Sequence, residues 1–294
     1  MRILVAGRSG QIAMSLAACA KRSAHEIMAI GRPDMDVCDP DSIQRAMVKV
    51  SPDVIINAAA YTAVDKAEDE EPAAFAVNAD GAGYLAKAAA EAGVPIVHLS
   101  TDYVFDGTAR EPYREADATA PLGAYGRSKL AGENAVRAAN PQHLIIRTAW
   151  VYSPFGSNFV KTMLRLAEGR DEVRVVDDQV GNPTYALDIA EALLAMCDRL
   201  HGADPIKPGT YHMTGQGEAS WADFAEAIFT ESARLGGASA KVIRISTADF
   251  PTRAKRPAHS RLDTAKLSQE GGIVLPLWKL SVRHCMSRIL EIDS

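Results

Sequence analysis

Residues 1–13 have the sequence MRILVAGRSGQIA, in which an apolar run meets a turn that contains two glycines. Residues 2–6 predict a buried strand, and residues 11–21 predict a helix that begins directly after the turn. Glycine lets the backbone approach a pyrophosphate group, and the helix N-terminus supplies free N–H groups and partial positive charge. The GxxGxxA spacing therefore predicts a dinucleotide-binding turn, and its alternative interpretation is a tight turn without a ligand. The residues expected to contact the cofactor are Gly7, Gly10, Gln11 and Ile12.

The alternation of strands and helices continues to about residue 150. Apolar runs at residues 25–30, 54–56, 96–99 and 144–146 predict four more strands, with helices predicted within residues 41–50, 73–92 and 122–139. This order favours a parallel sheet with helices on both faces, and continuous apolar runs are typical of its buried strands. We therefore expect an α/β protein whose residues 1–150 form a Rossmann-type, doubly wound parallel sheet.

Beyond residue 150, glycine, proline and aromatic residues become frequent and the strict alternation ends. Residues 173–176 are expected to add another sheet strand, residues 221–235 an amphipathic helix, and residues 250–261 a basic, proline-rich loop. We expect residues 151–294 to form a smaller, less regular substrate-binding region. Some of its segments are expected to return to the sheet.

Composition excludes several classes of protein. A net charge of −5 over 294 residues gives no general attraction to nucleic acid or to an anionic membrane. No apolar stretch approaches the roughly 20 residues that span a bilayer, and residues 1–7 do not resemble a signal peptide. The four cysteines are scattered, so neither a zinc site nor a disulfide framework is expected. A reducing, cytoplasmic location fits this composition best.

The end of the second predicted strand indicates which dinucleotide is bound. A site selective for NAD usually has an acidic residue there, which holds the ribose 2′-hydroxyl. Here Gly31 is followed by Arg32, whose planar guanidinium suits the 2′-phosphate of NADP. Arg32 therefore favours NADPH, with a solvated surface arginine as the alternative interpretation.

Tyr125 and Lys129 lie four residues apart and would share one face of a helix. An ammonium group nearby lowers the pKa of a tyrosine from its reference value of about 10. Such a tyrosine can donate a proton to a carbonyl oxygen as a hydride arrives. Thr101 follows the fourth predicted strand, and its hydroxyl can bond the same oxygen. With the glycine turn, these three residues predict an oxidoreductase site rather than a helix with two solvated side chains.

Several stretches resemble the extended, sugar-nucleotide class of short-chain dehydrogenases/reductases, and within it the dTDP-4-dehydrorhamnose reductase family. They are GRSGQIA (7–13), NAAAYTAVDKAE (57–68), STDYVFDG (100–107), YGRSK (125–129), RTAWVY (147–152), NFV (158–160), DQVGNPT (178–184), RP (256–257) and SRLD (260–263). The resemblance implies NADPH-dependent reduction of the 4-keto group of dTDP-4-dehydro-β-L-rhamnose to dTDP-β-L-rhamnose, with NADH accepted as an alternative. The product would serve dTDP-rhamnose biosynthesis.

The resemblance also implies roles for individual residues. Tyr125 would be the acid, Lys129 would hold the nicotinamide ribose, and Thr101 would complete the triad. The residues implied at the cofactor are Asn57, Ala58, Ala59, Ala60, Tyr61 and Thr62, with Asp39 near the adenine. Those implied at the substrate are Val104 and Trp150 near the sugar, and Arg256, with Arg253 and Arg261, at the nucleotide diphosphate. A core position for Trp150 and a surface basic cluster for the arginines are the alternatives, and residues 65–68 are expected to be a solvated helix start.

Some members of this family are dimers held by magnesium, with an acidic side chain in the first helix. The matching residues 12–16 carry no carboxylate, so we expect no metal, while another homodimer or a monomer stays open. One rival is an epimerase or 4,6-dehydratase of the same fold, although a dehydratase would carry an acidic pair where this chain has Asp102 alone. A non-catalytic regulatory subunit is the other rival, and it would not need the three catalytic side chains.

Overall fold

The computed structural model of the chain describes residues 1–200 and 205–290, so the last four residues of the predicted second region lie outside it. A parallel sheet of six strands forms its centre, in the order β2-β1-β3-β4-β5-β10. The six strands are β1 (Arg2–Ala6), β2 (Glu26–Ile30), β3 (Val54–Asn57), β4 (Ile96–Thr101), β5 (His143–Thr148) and β10 (Gly209–His212). The strand order reverses between β1 and β3, and ligands of such sheets bind beyond the strand ends at this switch point.

Helices cover both faces of the sheet, as predicted. On one face, α1 (Gln11–Ala20) and α8 (Ala186–Asp198) pack against alternate strand residues such as Ile3 and Val5. On the other face, α2, α5 and α6 pack against the intervening residues such as Leu4. Their bounds are Pro40–Val50 for α2, Gly81–Glu91 for α5 and Ala124–Ala139 for α6. This period-two division buries each strand on both sides, which explains the continuous apolar runs.

The long helix predicted for residues 73–92 is one helical run with a change of pitch inside it. The run begins with α4 (Glu71–Phe75), widens to a π-helical turn at Ala76–Asp80, and continues as α5. It stops at Gly93, whose φ is +70°, as expected for a helix C-terminus. A π turn inside an α-helix often marks a functional site, and this one places Asn78 beside the cofactor region described below.

The remaining elements form a second hydrophobic cluster around α7 (Phe159–Ala167), α9 (Trp221–Arg234) and α11 (Trp278–Ile289). Three two-stranded sheets surround it: β6 (Val151–Tyr152) with β9 (Thr184–Tyr185), β7 (Glu172–Val176) with β12 (Lys241–Ile245), and β8 (Val180–Gly181) with β11 (Ala219–Ser220). The short helices α3 and α10 span Val64–Ala67 and Ala265–Gly271. None of the helices within the described ranges is both long and apolar enough to cross a membrane.

Two sequence expectations about strands are wrong. Residues 173–176 do form a strand, β7, but it pairs in parallel with β12 and does not join the main sheet. The sixth strand of that sheet is β10, which pairs in parallel with β5. Its apolar run is too short for the strand to be recognised from its sequence. In addition, β4 continues past Leu99, so that Thr101 is its last residue and not the second residue after it.

Candidate active site

The glycine turn lies at the carboxyl ends of β1 and β3, where the sheet opens. Gly7 has a φ of +118°, and a Cβ there would lie 3.3 Å from the backbone of both Ala58 and Ala59. Gly10 begins α1 in an extended conformation without a side-chain cap, and the first turn of α1 has no acidic residue. The first N–H groups of α1 are therefore open to an anion, so the turn fits a dinucleotide pyrophosphate.

The side chain of Gln11 ties this turn to the substrate-binding region. Its Nε2 donates to the carbonyl of Val151 at 3.2 Å, and its Oε1 accepts from Ser153 and Asn158 at 2.8 and 3.0 Å. Ile12 packs against the hydrophobic cluster beneath α1. Both side chains are thus engaged within the protein, which leaves their backbone amides for the predicted cofactor contact.

Two arginines, not one, lie near the end of β2. Arg32 is exposed, as the predicted 2′-phosphate contact requires. Arg8, from the glycine turn, packs against Gly31 and pairs with Asp34 at 3.1 Å. The sequence analysis missed Arg8, although its position inside the GxxG spacing was a usable signal. Asp39 caps α2, since its Oδ1 accepts from the N–H of Asp41 at 3.0 Å, and its predicted place near the adenine stays a prediction.

The loop after β3 is fixed by two buried asparagines. Asn57 accepts from the N–H of Ala59 at 3.2 Å and lies 3.0 Å from the ring of His98. Asn78, from the π turn, accepts from the N–H of Tyr61 at 2.8 Å and donates to its carbonyl at 3.1 Å. The loop between them therefore presents its backbone to the crevice, with Ala58, Ala59 and Ala60 partly exposed and Thr62 exposed.

The structure brings Thr101, Tyr125 and Lys129 together beyond β4. Thr101 lies beside the Tyr125 hydroxyl, and its own hydroxyl donates to Asp102 at 3.0 Å. Tyr125 lies in the first turn of α6, edge-on to the ring of Tyr103 with 5.6 Å between ring centres. Lys129 follows one turn later, almost completely buried, and its Nζ donates to the carbonyl of Leu99 at 2.6 Å.

One electrostatic expectation for this triad is wrong. Burial raises the pKa of Tyr125 above its ordinary value, the hydrogen bond with Thr101 lowers it, and Lys129 is not among the causes of the shift. The Lys129 ammonium is directed at the Leu99 carbonyl, and burial lowers the pKa of Lys129 to about 8. Tyr125 is therefore protonated at neutral pH, which suits an acid in a reduction.

Asp102 is the one carboxylate next to Thr101 in the chain, and it is fully buried. Desolvation raises its pKa to about 6, although hydrogen bonds with Ser260 and Thr101 lower it. A carboxyl in this position can be neutral or charged near physiological pH.

A cleft of about 960 Å³ lies between α7, β7, β12 and the loop after residue 249, and the three triad side chains are not part of its lining. Its size is typical of a small-molecule site. Apolar side chains line much of it, and its cationic and neutral polar side chains are Arg170, Arg174, Arg256, Thr162, Thr252 and Gln179. The sequence analysis predicted Arg256 but missed Arg170 and Arg174, because no local motif surrounds them.

Trp150 lies between the triad and this cleft. Its ring stacks on Trp221, which lines the cleft, with 3.6 Å between ring centres and 5° between planes. It is partly exposed and has a φ of +47°, so it is not an ordinary core residue. Such a position is compatible with the predicted contact to a sugar.

Other predicted substrate residues are placed differently from the expectation. Val104 is fully buried among Phe105, Tyr113 and Leu262, and its predicted place near the sugar stays a prediction. Of the basic residues in the loop, Arg253 pairs with Asp69. Arg261 in turn pairs with Glu218 at 2.7 Å. These two arginines hold carboxylates of the protein instead of lining the cleft.

The expectation of a solvated start to α3 is also wrong for two residues. Asp65 accepts from the N–H of Ala254 and from Arg256, both at 3.0 Å. Glu68 accepts from the N–H of Ala124 at 2.8 Å and so caps the helix that carries Tyr125. This segment therefore links the cofactor crevice, the catalytic helix and the cleft.

Comparisons with known proteins agree with this arrangement. The family model described as the RmlD substrate binding domain matches residues 1–291. A dTDP-4-dehydrorhamnose reductase from Sinorhizobium fredii is 50% identical, with 99% of this chain and 98% of the relative aligned. A solved dTDP-4-dehydrorhamnose reductase from Clostridium acetobutylicum superposes with a TM-score of 0.91 at 41% identity, covering 98% of this chain and 99% of the other. A Bacillus anthracis one, solved in complex with NADP, has a TM-score of 0.91, 34% identity and the same coverage.

Proposed function

We propose that this chain, which belongs to the dTDP-4-dehydrorhamnose reductase family, reduces the 4-keto group of dTDP-4-dehydro-β-L-rhamnose with NADPH and forms dTDP-β-L-rhamnose. The observation that carries the proposal is the placement of Thr101 beside the Tyr125 hydroxyl, with Lys129 one helical turn away and an anion-binding turn at a neighbouring strand end. The match to the family model and the superposition on solved reductases confirm the family and the Rossmann-type fold predicted from the sequence.

The residues at the crevice fit NADPH. The open N–H groups of α1 would hold its pyrophosphate, and Arg32 would hold its 2′-phosphate with help from Arg8. When bound, NADPH supplies a hydride to the carbonyl carbon of the keto sugar.

The protein supplies the proton. Tyr125, protonated at neutral pH, would donate to the keto oxygen, and the adjacent Thr101 side chain would position the same oxygen. Lys129, one turn later on the same face of α6, would hold the nicotinamide ribose of the cofactor. The ordering of these three groups before reaction reduces the entropic cost of the proton transfer.

The cleft would hold the dTDP part of the substrate. Arg170, Arg174 and Arg256 bring positive charge to a lining that also contains Glu172 and Asp249, and apolar walls suit a nucleoside ring. Trp150 would lie against the sugar, at the junction of cleft and triad.

The deciding experiment follows NADPH oxidation by absorbance, with dTDP-4-dehydro-β-L-rhamnose generated in situ and NADH run in parallel. We expect rapid oxidation that depends on the sugar nucleotide and is faster with NADPH at low cofactor concentration. No oxidation by a protein that still binds NADPH would point instead to another keto sugar nucleotide or to a regulatory role.

We further propose a reducing, cytoplasmic location and a homodimer without a bridging metal. The scattered free cysteines support the location, since Cys19, Cys197 and Cys285 are buried singly and Cys38 is exposed. The lack of a carboxylate in residues 12–16 supports the second point. Light scattering with and without a chelator tests the oligomeric state.

A further inference from the structure

A buried cluster of charged side chains lies one helical turn beyond Lys129, between α6 and the sheet. At its centre is Glu133, which is fully buried. Its Oε1 accepts from the Ser100 hydroxyl at 2.6 Å and from Nε of Arg147 at 2.8 Å. Its Oε2 accepts from Nη2 of Arg147 at 2.8 Å and from Nη2 of Arg137 at 2.7 Å. Each oxygen of the Glu133 carboxylate therefore accepts two hydrogen bonds.

The Glu133 carboxylate is ionised. Burial alone would raise its pKa, but the hydrogen bonds and charge of Arg147, with Ser100 and Arg137, hold that pKa below its ordinary value. Burying such a group has a desolvation cost, and well-packed apolar residues often replace a buried ion pair without loss of stability. The stability of the fold therefore does not by itself account for a charged group at this place.

The adjacent residue that needs a negative charge is Lys129. It is 2% exposed, and the Leu99 carbonyl is a neutral partner for its ammonium. Burial lowers the pKa of Lys129 to about 8, and the charge of Glu133 is what raises it. Residues four apart on a helix are neighbours, so both side chains lie on the buried face of α6, and the charge of Glu133 acts on Lys129 through space rather than through a direct ion pair.

We propose that Glu133 is a positioning residue of the active site: its carboxylate, fixed by Arg147 and Arg137, keeps the buried Lys129 ammonium charged. The inference rests on the proposed function, because the charged Lys129 ammonium is the group that would hold the nicotinamide ribose of NADPH. Without Glu133, the arginines would add uncompensated positive charge behind Lys129 and favour its neutral form.

Other titratable groups near Lys129 do not supply this negative charge. His98 on β4 is neutral, because burial, Lys129 and Arg137 all lower its pKa. Asp102 interacts with Thr101, Ser260 and Tyr125. The groups that face this part of α6 from the sheet and from the helix itself are His98, Asp102, Tyr125, Glu133, Arg137 and Arg147.

The test is the pH dependence of Glu133→Gln against the unchanged protein, measured in two ways. The first is kcat/KM for substrate-dependent NADPH oxidation from pH 6 to 9.5. The second is the Kd of NADPH by fluorescence from pH 7 to 9.5, above the titration of its 2′-phosphate near pH 6. In the unchanged protein both should weaken as pH rises through about 8, where Lys129 loses its proton.

In Glu133→Gln, the alkaline limb should move to lower pH by about one unit. Activity at pH 6 would then be nearly that of the unchanged protein, while at pH 8 it would be about fivefold lower. Ser100→Ala is the matched control, since it removes a hydrogen bond to the same oxygen but leaves the charge. The alkaline limb of the Ser100→Ala profile should lie at the same pH as in the unchanged protein, even if the Tm of this variant falls.

If Glu133→Gln does not fold, Arg137→Met serves as the second variant, because Arg137 is one-third exposed and reaches Glu133 from the surface. It leaves the carboxylate less neutralised, so the limb should move to higher pH. The proposal is overturned if the alkaline limb of the pH profile of Glu133→Gln lies at the same pH as that of the unchanged protein. It is also overturned if the alkaline limb of Arg137→Met lies at lower pH. If the unchanged protein shows no substrate-dependent oxidation, the proposed function fails, and the NADPH binding profile still decides the role of Glu133.

Discussion

Replacement of Tyr125 by phenylalanine removes a single oxygen atom from the centre of the proposed site. The aromatic ring keeps its edge-on contact with Tyr103, so the start of α6 should be undisturbed. The hydrogen bond with Thr101 is lost. A bond of this kind contributes about 1 kcal/mol to the free energy of unfolding, and we expect a change in stability no larger than that.

The effect on catalysis should be far larger. General acid catalysis contributes about 10²- to 10⁴-fold to a rate, which corresponds to roughly 3–5 kcal/mol of transition-state stabilisation. Because burial keeps Tyr125 protonated at neutral pH, the whole of this contribution is removed. We expect kcat and kcat/KM to fall together by at least about 100-fold, since the proton is needed only in the transition state. The Kd of NADPH should change by less than about twofold.

The assay compares NADPH oxidation with dTDP-4-dehydro-β-L-rhamnose and NADPH binding by fluorescence for Tyr125→Phe. Tyr103→Phe is the matched control, because it removes the hydroxyl from the other ring of the same pair, where it bonds Arg256. That control should lose less than about tenfold in kcat/KM, mainly through KM. Full activity in Tyr125→Phe, or equal losses in both variants, would refute the assignment of Tyr125 as the acid.

Three further changes test the cofactor site, the cleft and the buried carboxyl. Arg32→Ala should raise the Kd of NADPH by about 10- to 100-fold, which is the usual contribution of a charge-assisted hydrogen bond. The Kd of NADH should rise by less than about twofold. Equal effects on both cofactors in fluorescence titrations would refute a contact between Arg32 and the 2′-phosphate. Gly181→Ala places a Cβ 2.5 Å from Cε2 of Trp150 and must displace that ring, so steady-state kinetics should show a raised KM for the sugar nucleotide and an unchanged KM for NADPH. Burial raises the pKa of Asp102 from 3.8 to about 6, so this carboxyl reduces the stability of the folded protein as pH rises through this window. In urea denaturation, Asp102→Asn should therefore stabilise the protein by up to about 3 kcal/mol at pH 7.5 and by nearly nothing at pH 3.5. Equal gains at both pH values would contradict the raised pKa.

Much of the fold could be predicted because the chain alternates strongly patterned segments. Strands β1 to β5 are apolar runs buried on both faces, and a local pattern of this kind is readable without knowledge of the partners. Strand β10 was missed because its four residues join the sheet through hydrogen bonds to β5, more than 60 residues earlier. Strand β7 was assigned to the wrong sheet for the same reason: its sequence indicates a strand but not its partner β12.

For the candidate site too, residues with a local sequence pattern could be predicted and residues with distant partners could not. Gly7, Tyr125 and Lys129 could be predicted because their chemistry depends on short spacings within one turn or one helix. The Arg8–Asp34 pair and the basic lining of the cleft could not, since their partners are distant in sequence and lie together only after folding. The pKa of Tyr125 was predicted in the wrong direction because the spacing shows that Lys129 is near in the chain, but shows neither the burial of Tyr125 nor that the ammonium is directed at Leu99.

Two departures from ordinary backbone geometry, at Trp150 and in the π turn at Ala76–Asp80, lie in segments that contact the proposed site. Trp150 directly follows β5 with a φ of +47°, a conformation that costs of order 1–3 kcal/mol for such a residue. Its ring stack with Trp221 can return about 1 kcal/mol, and its carbonyl accepts from the N–H of Thr184 at 3.2 Å. The π turn similarly gives up regular helix bonding where Asn78 reaches the cofactor loop. Because specific contacts hold both departures, we expect a variant that relaxes either one to gain stability while losing activity.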